Sequence, residues 1–262
     1  MTQYCQSLIS VSHSVSARKT DAYSLHCHPF CEIYYFLSGD VDYLVEGVYY
    51  HPAPHSLLLL APGTFHGFRT NSPSPYERYT LHFDPQLLSG ASQELLLSPF
   101  FSPHIYVSSA RAYLPYLSGL YACSGLPAPA SDECAQAHLI ALLGQLRLEL
   151  GEAAQPESAS QNATLTQQVI SYLSLHLAQH NTLDSLAKRF FVSRSHLSRA
   201  FYHETGASVA EYIRRKRLIY ADTLRRHGMS ATEAALKAGF GDYSTYYRTL
   251  KREQGNDKPV IQ

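Results

Sequence analysis

The sequence predicts a chain of two domains of different class: an all-β barrel or sandwich with added helices, followed by an all-α tandem of helix-turn-helix units. Three observations predict it. Residues 23 to 83 alternate apolar and polar positions between turn signals, a helix-turn-helix plan occurs twice after residue 183, and the charge separates between the two parts. A chain of 262 residues is long enough for two domains with a core each. Its 45% hydrophobic share, with 20 Tyr and 11 Phe, excludes a disordered majority. The expected boundaries are 1–150 for the first domain, 151–163 for a linker and 164–258 for the second.

The strands come first. Ile33 to Leu37 and Val41 to Val45 flank Ser38-Gly39-Asp40, and Glu46-Gly47 separates the latter from Val48-Tyr49-Tyr50. Leu57 to Ala61 meets Pro62-Gly63 before Phe65 to Phe68, and another strand is expected at Tyr76 to Phe83. Short strands at this spacing suit a small barrel or sandwich. Beyond Asp84-Pro85 the pattern changes, with a short strand at Ile105 to Val107 and a helix around Ala110 to Ala122.

Helices then dominate. Glu133 to Leu150 places Leu139, Leu142, Leu143, Leu146 and Leu150 on one face, which either packs on the strands or meets the same face of a second subunit. The second use is preferred, so a homodimer is expected. Gly151 to Ala163, rich in Ala, Ser, Gln and Glu, reads as the linker. Helix resumes at Leu165 to Ala178.

The repeat carries the most information. Leu183 to Ser193 followed by Arg194 to Tyr202 reads as helix, turn and helix, and the plan returns at Thr232 to Phe240 and Asp242 to Glu253. Ala187 answers to Ala235, Leu197 to Tyr246, Phe201 to Leu250 and Gly206 to Gly255. Such a unit needs a small residue where its helices nearly touch and an apolar one projecting back from the second helix. Gly239 permits a left-handed turn in the second copy. Between the copies, Ser208 to Arg226 lacks Pro and Gly and forms a rod roughly 28 Å long at ~1.5 Å per residue.

Charge coincides with the repeat. Residues 183 to 262 hold 15 Lys or Arg against 8 Asp or Glu, a net of +7, and the remainder holds 6 against 13, a net of −7. A basic part of this kind is the footprint of a phosphate-backbone binder. The five cysteines, Cys5, Cys27, Cys31, Cys123 and Cys134, are odd in number and irregular in spacing, so reduced thiols are expected rather than a disulfide framework or a redox pair at Cys27 and Cys31. With no apolar run long enough for a bilayer and a polar start at Met1-Thr2-Gln3, no membrane partner and a cytoplasmic location are expected.

Taken together, the strings Ser193-Arg194-Ser195-His196-Leu197-Ser198-Arg199-Ala200-Phe201, Glu204-Thr205-Gly206 and Ala238-Gly239-Phe240-Gly241-Asp242-Tyr243-Ser244-Thr245-Tyr246 are specific. The chain resembles the AraC/XylS family of transcriptional regulators with an N-terminal cupin-type ligand-binding domain, over nearly its whole length. It departs from the family at Val209, where Pro is common, at Leu250, where Phe is usual, and after Gly255, where a closing Ser-Pro is absent. The resemblance implies double-stranded DNA as partner, read in the major groove by Ser195, Ser198 and Arg199 from one helix and by Tyr243, Ser244, Tyr247 and Arg248 from the other. Arg199 and Arg248 suit a bidentate contact to guanine. Arg194, His196, Lys251 and Arg252 are expected on phosphates.

The first domain resembles a cupin at His26-Cys27-His28-Pro29-Phe30-Cys31-Glu32 with Gly39, and at Pro62-Gly63-Thr64-Phe65-His66, with His55-Ser56 where the family more often has Gly-Asp. In metal-dependent cupins the matching residues, here His26, His28, Glu32 and His66, hold one divalent ion, whereas regulators commonly keep them as a metal-free polar cluster. Both remain open, with Tyr34, Phe36, Tyr43 and Phe68 as aromatics facing an effector or simply core. The expected function is a non-enzymatic, effector-controlled regulator, more an activator than a repressor, with a sugar as the effector class and RNA polymerase as a further partner left open. The alternative is a metal-dependent cupin enzyme fused to a DNA-binding module.

Overall fold

This computed structural model describes residues 2–5, 8–17, 19–20, 26–101, 105–107, 111–150, 164–226 and 228–256. The chain forms two compact units, one of residues 1–24, 30–45 and 49–161, the other of 162–262 with the short segments 25–29 and 46–48. The expected linker, 151–163, lies outside the described residues, as do Cys5's side chain and Ala110, the expected start of a helix.

The first unit is built on two antiparallel sheets. Strands β1 (Thr2–Cys5), β2 (Ile9–Ser16), β3 (Cys31–Ser38), β6 (Ser56–Leu60), β8 (Tyr76–Phe83) and β9 (Ile105–Val107) run in the order β1-β2-β8-β3-β6-β9. A smaller sheet has the order β5-β4-β7, from β4 (Val41–Val45), β5 (Val48–Tyr50) and β7 (His66–Thr70). All seven expected strands match within two residues at their ends, and Val41–Val45, Val48–Tyr50, Tyr76–Phe83 and Ile105–Val107 match without change. β1 and β2 were not expected. Yet β2 alternates visibly: Ile9 and Val11 are buried between serines, and opposite Leu81 and Phe83 they join the core.

Alternation gives the large sheet two different faces. Ile33, Tyr35, Leu57, Leu59, Leu81 and Phe83 face the helices α2 (Leu114–Ala122) and α3 (Ala130–Leu150) in one continuous core. Glu32, Tyr34 and Phe36 point the other way, where Tyr34 and Phe36 pack with Tyr43 of the small sheet. Both faces of β3 are therefore covered, which explains the continuous burial of Cys31 to Phe36. A short helix α1 (Gly90–Leu97) completes the unit, joining the core through Leu97.

The leucine stripe of α3 corrects one expectation. Leu139, Leu142, Leu143 and Leu146 are fully buried in the same core as Ile33 and Leu81, with Leu150 packed at its edge. That face is occupied within one subunit and is closed to a dimer partner.

The second unit contains α4 (Leu165–His176), α5 (Leu183–Arg189), α6 (Arg194–Thr205), α7 (Val209–Arg226), α8 (Ala231–Lys237) and α9 (Tyr243–Asn256). Each short helix starts on a cap. Thr164 with Gln167, Thr182 with Ser185, and Ser230 with Glu233 form reciprocal capping boxes, and Ser193 accepts from the His196 amide at 3.1 Å. At the start of α9, Asp242 accepts from the Thr245 amide at 2.7 Å. The expected repeat pairs hold for Ala187 with Ala235 and Leu197 with Tyr246, all four buried. One pair fails. Gly206 ends α6 in the left-handed region, whereas Gly255 lies inside α9, which runs on to Asn256 because the intra-helix ladder is not interrupted there.

The two turns solve one problem with different residues. Gly239 has φ +95° in the second copy, while the first copy places Phe191 at φ +56° with 95% of its surface exposed. A left-handed conformation costs an L-residue roughly 1–2 kcal/mol, and the Phe191 ring packs on almost nothing to offset it. Phe191→Gly should therefore raise Tm by about 1–3 °C after the added freedom of the unfolded chain is deducted, as measured by thermal unfolding.

Candidate functional site

α6 and α9 present the residues expected to read bases. On α6, Ser195 and Arg199 are exposed and Ser198 is half-buried, while Leu197 and Phe201 turn inward and are fully buried. On α9, Tyr243, Ser244, Tyr247 and Arg248 are exposed, and Tyr246 is inward. The fourfold spacing that hides Leu197 and Phe201 puts Ser195 and Arg199 together on the outer face. Arg199 Nε donates to the Ser195 carbonyl at 3.3 Å and Arg248 Nε to the Ser244 carbonyl at 3.4 Å, so each guanidinium lies back along its helix.

The expected phosphate contacts are also exposed: Arg194, His196, Lys251 and Arg252. Two of them have partners. Arg194 Nε meets Asp184 at 2.7 Å, an exposed pair that contributes little to stability. Lys251 Nζ lies 5.7 Å from the centre of the Tyr247 ring, which itself stacks on Tyr243 at 6.0 Å. Behind this face, half-buried Arg217 donates to the carbonyls of Leu177 at 3.0 Å and Gln179 at 2.6 Å, fastening α7 to the chain leaving α4. Desolvation lowers its pKa.

In the first unit the expected aromatics come together. Tyr34, Phe36 and Tyr43 are buried and Phe68 packs against them, around Tyr76, Leu58 and Val41. The Tyr34 and Tyr43 rings lie 4.4 Å apart, Tyr43 and Phe68 5.9 Å, and Phe68 and Tyr76 5.2 Å. The Tyr34 and Tyr76 hydroxyls are 2.5 Å apart. Burial holds the phenols of Tyr34, Tyr43 and Tyr76 protonated, well above their ordinary pKa. Tyr76 and, beside it, Arg78 are members of this interior that sequence reasoning missed.

The candidate metal ligands also converge. Donor atoms of His26, His28, Glu32 and His66 all lie within 4.8 Å of one another. Glu32 is 3% and His66 0% exposed, with a carboxylate oxygen 2.9 Å from His66 Nε2. His66 Nδ1 donates to the Thr64 carbonyl at 2.8 Å, which fixes the ring so that Nε2 faces the carboxylate. That lock, with three imidazoles and one carboxylate, fits a divalent ion. His82, not foreseen, stands opposite Glu32 in the β3–β8 register and reaches the same carboxylate at 3.2 Å. Its place in an alternating strand, on the face of Glu32, was the signal that identifies it.

His55 shows why its position favours glycine. It adopts φ +68°, and its Nδ1 pairs with the Tyr35 hydroxyl at 2.7 Å. The thiols are unsuited to redox work: burial pushes Cys27 up to about 12 and Cys31 higher still, so neither supplies thiolate at neutral pH.

Residues 14–170 match the family profile described as an AraC-like ligand binding domain, and residues 186–256 one described as a helix-turn-helix domain. The chain is 32% identical over 178 residues to the HTH-type transcriptional activator RhaS of Salmonella schwarzengrund, covering 66% of this chain and 63% of that protein. The RhaS of Salmonella paratyphi A is 34% identical over 140 residues, covering 53% of this chain and 48% of that protein. The chain thus spans less than two thirds of the length of these curated relatives. Among solved structures, apo ToxT from Vibrio cholerae is similar over 94% of both chains, with 13% identity and a TM-score of 0.43.

Proposed function

Because the chain belongs to the AraC/XylS family, we propose that it is a sequence-specific, double-stranded-DNA-binding transcriptional regulator controlled by a small molecule in its β unit. The observation that carries this reading is the pair of capped helix-turn-helix units whose second helices expose Arg199 and Arg248 while burying Leu197 and Tyr246. α7, with 18 residues, is roughly 27 Å long at ~1.5 Å per residue, against ~34 Å for a turn of B-DNA. A rod of that size suits two units reading successive grooves on one face of the duplex. Activation is the proposed sign of control, following the activators it is similar to.

The effector is proposed to be a sugar-like molecule enclosed by the aromatic interior, and it acts only through different affinity for two arrangements of the protein. A homodimer is supported by α3, whose outer side carries Ala137, Ile140, Ala141, Gly144 and Leu148, with Ile140 42% and Leu148 80% exposed. Sedimentation equilibrium tests it. No helix among the described residues is long and apolar enough to cross a membrane, which accords with a cytoplasmic regulator, and RNA polymerase is the proposed further contact. The enzyme reading rests on the His26, His28, Glu32 and His66 group; elemental analysis together with a turnover assay separates it from the regulator.

Selection of bound fragments from genomic or random DNA, with and without candidate effectors, tests the whole. A direct repeat spaced by whole helical turns is expected. Within the selected site, Arg199→Ala should cost about 1–3 kcal/mol and relax preference at one base pair. Uniform weakening on every sequence, measured by competition binding, would instead make Arg199 a backbone contact.

A further inference from the structure

Among the buried polar atoms of the β unit are two that no neighbour satisfies, although the Arg78 guanidinium also bonds the Tyr76 hydroxyl. Arg78 Nη1 and Ser14 Oγ are both fully shielded and have no hydrogen-bond partner among the described residues. They belong together, because Ser14 and Arg78 are directly opposed in the β2–β8 register, and Phe36 is opposed to Arg78 from β3 on the other side. Side chains at opposed positions share a face, so both groups look toward the Tyr34, Phe36, Tyr43 and Tyr76 cluster. The guanidinium lies over Tyr76, 4.5 Å from the ring centre, and over Phe68 at 4.7 Å. No carboxylate pairs with it among the described residues; the one buried acid on this face, Glu32, is taken by His66 and His82.

A guanidinium nitrogen shielded from water without an acceptor is costly, and an unsatisfied hydroxyl beside it adds to the cost. Buried polar groups without partners call for an explanation, and a ligand that brings acceptors is one. Arg presents a planar fork matched to carboxylate or phosphate oxygens, and a hydroxyl one strand away completes a three-donor cradle. The neighbouring positions on the same face are hydroxylic as well: Ser12 opposes Thr80, and the Tyr34 and Tyr76 hydroxyls meet nearby.

We propose that the effector is an anion, a hydroxyl-rich molecule bearing a carboxylate or phosphate that is received by Arg78 and Ser14. This deepens the reading of the β unit as an effector site and rests on it. A neutral sugar would bring Arg78 Nη1 an acceptor but no opposite charge. An acidic sugar meets both requirements, its oxygens on Arg78 and Ser14 and its hydroxyls among the Ser, Thr and Tyr side chains, with a ring face against Tyr76.

The test is ligand-dependent thermal unfolding of the full chain, with four probes: a neutral hexose, a hexuronate, a hexose phosphate and a short unbranched carboxylate. The anionic sugars should raise Tm by about 5 °C or more at concentrations a hundredfold above Kd, and the neutral hexose should not. The hexuronate and hexose phosphate arms distinguish carboxylate from phosphate; the unbranched acid shows what the charge contributes alone. Arg78→Met should abolish the response while keeping or raising the Tm of the free protein, since it removes an uncompensated charge and leaves the packing on Phe68 and Tyr76. Ser14→Ala should weaken anion affinity by roughly 10-fold, and Arg78→Lys should retain part of it.

A neutral hexose that stabilises as well as its acid, or an Arg78→Met protein that responds like the parent, overturns the proposal and leaves a neutral-effector regulator standing. No response to any anion overturns it too. Loss of sequence-specific DNA binding would sink the regulator reading while leaving the anion response to be read on its own.

Discussion

Gly239→Val is expected to destabilise the helical unit by about 3 kcal/mol or more. Two costs combine. At φ +95° an L side chain is strained, by roughly 1–2 kcal/mol in the left-handed region and more for a branched one. A β-carbon at this position would also lie 2.7 Å from the Ala178 Cα, 2.8 Å from its carbonyl oxygen and 2.9 Å from Arg217 Nε. Two of these are backbone atoms that cannot step aside, and the third belongs to the guanidinium bonded to the Leu177 and Gln179 carbonyls. Relieving the clash therefore loosens α4, α7 and the α8–α9 turn together. Urea unfolding followed by helical circular dichroism checks this: a midpoint within a few tenths molar of the parent's would show the turn to be tolerant. The opposite sign expected for Phe191→Gly makes the comparison sharp, since the two residues occupy equivalent turns.

Glu32→Ala is expected to cost the β unit about 3–5 kcal/mol, as breaking one side of a buried charged cluster does. The carboxylate is 3% exposed and meets His66 at 2.9 Å and His82 at 3.2 Å. His66 is fully buried, with Nδ1 committed to the Thr64 carbonyl, so removal of the carboxylate takes from Nε2 the oxygen that it faces at 2.9 Å. A cavity is added near the start of β3, the strand paired with both β6 and β8. The chain has no Trp and 20 Tyr, so unfolding of this unit can be followed by tyrosine emission. Loss smaller than about 1 kcal/mol would mean that the two histidines are satisfied without Glu32.

Much of this was legible in the sequence, and the exceptions have physical causes. The tandem of helices was readable because Ala187, Leu197, Ala235 and Tyr246 recur at positions where helix contact admits few residues. β2 was overlooked although Ile9 and Val11 alternate with serines, because serine-rich text resembles a loop when its inward face is polar for a reason of its own. Arg78, Ser14 and His82 were missed for the same cause: a charged or hydroxylic residue in a strand reads as outward-facing until the register with Phe36 and Glu32 shows which side it takes. The α3 leucines had two reasonable destinations, and periodicity alone does not choose between a sheet and another helix. Gly255 matched Gly206 in spacing, yet a glycine ends a helix only where the following chain turns away.

α3 has one more implication. Leu139, Leu142, Leu143 and Leu146 are seated among side chains of β2, β3, β6 and β8, while Ile140 and Leu148 stand on the opposite side of the same rod. A helix does not shear between its own faces, so any adjustment of the strands that rearranges those leucines must also reposition the outward ridge. Occupancy inside the β unit and the presentation of an external surface are in this way wired through a single stiff part, with no hinge or disordered relay needed between them.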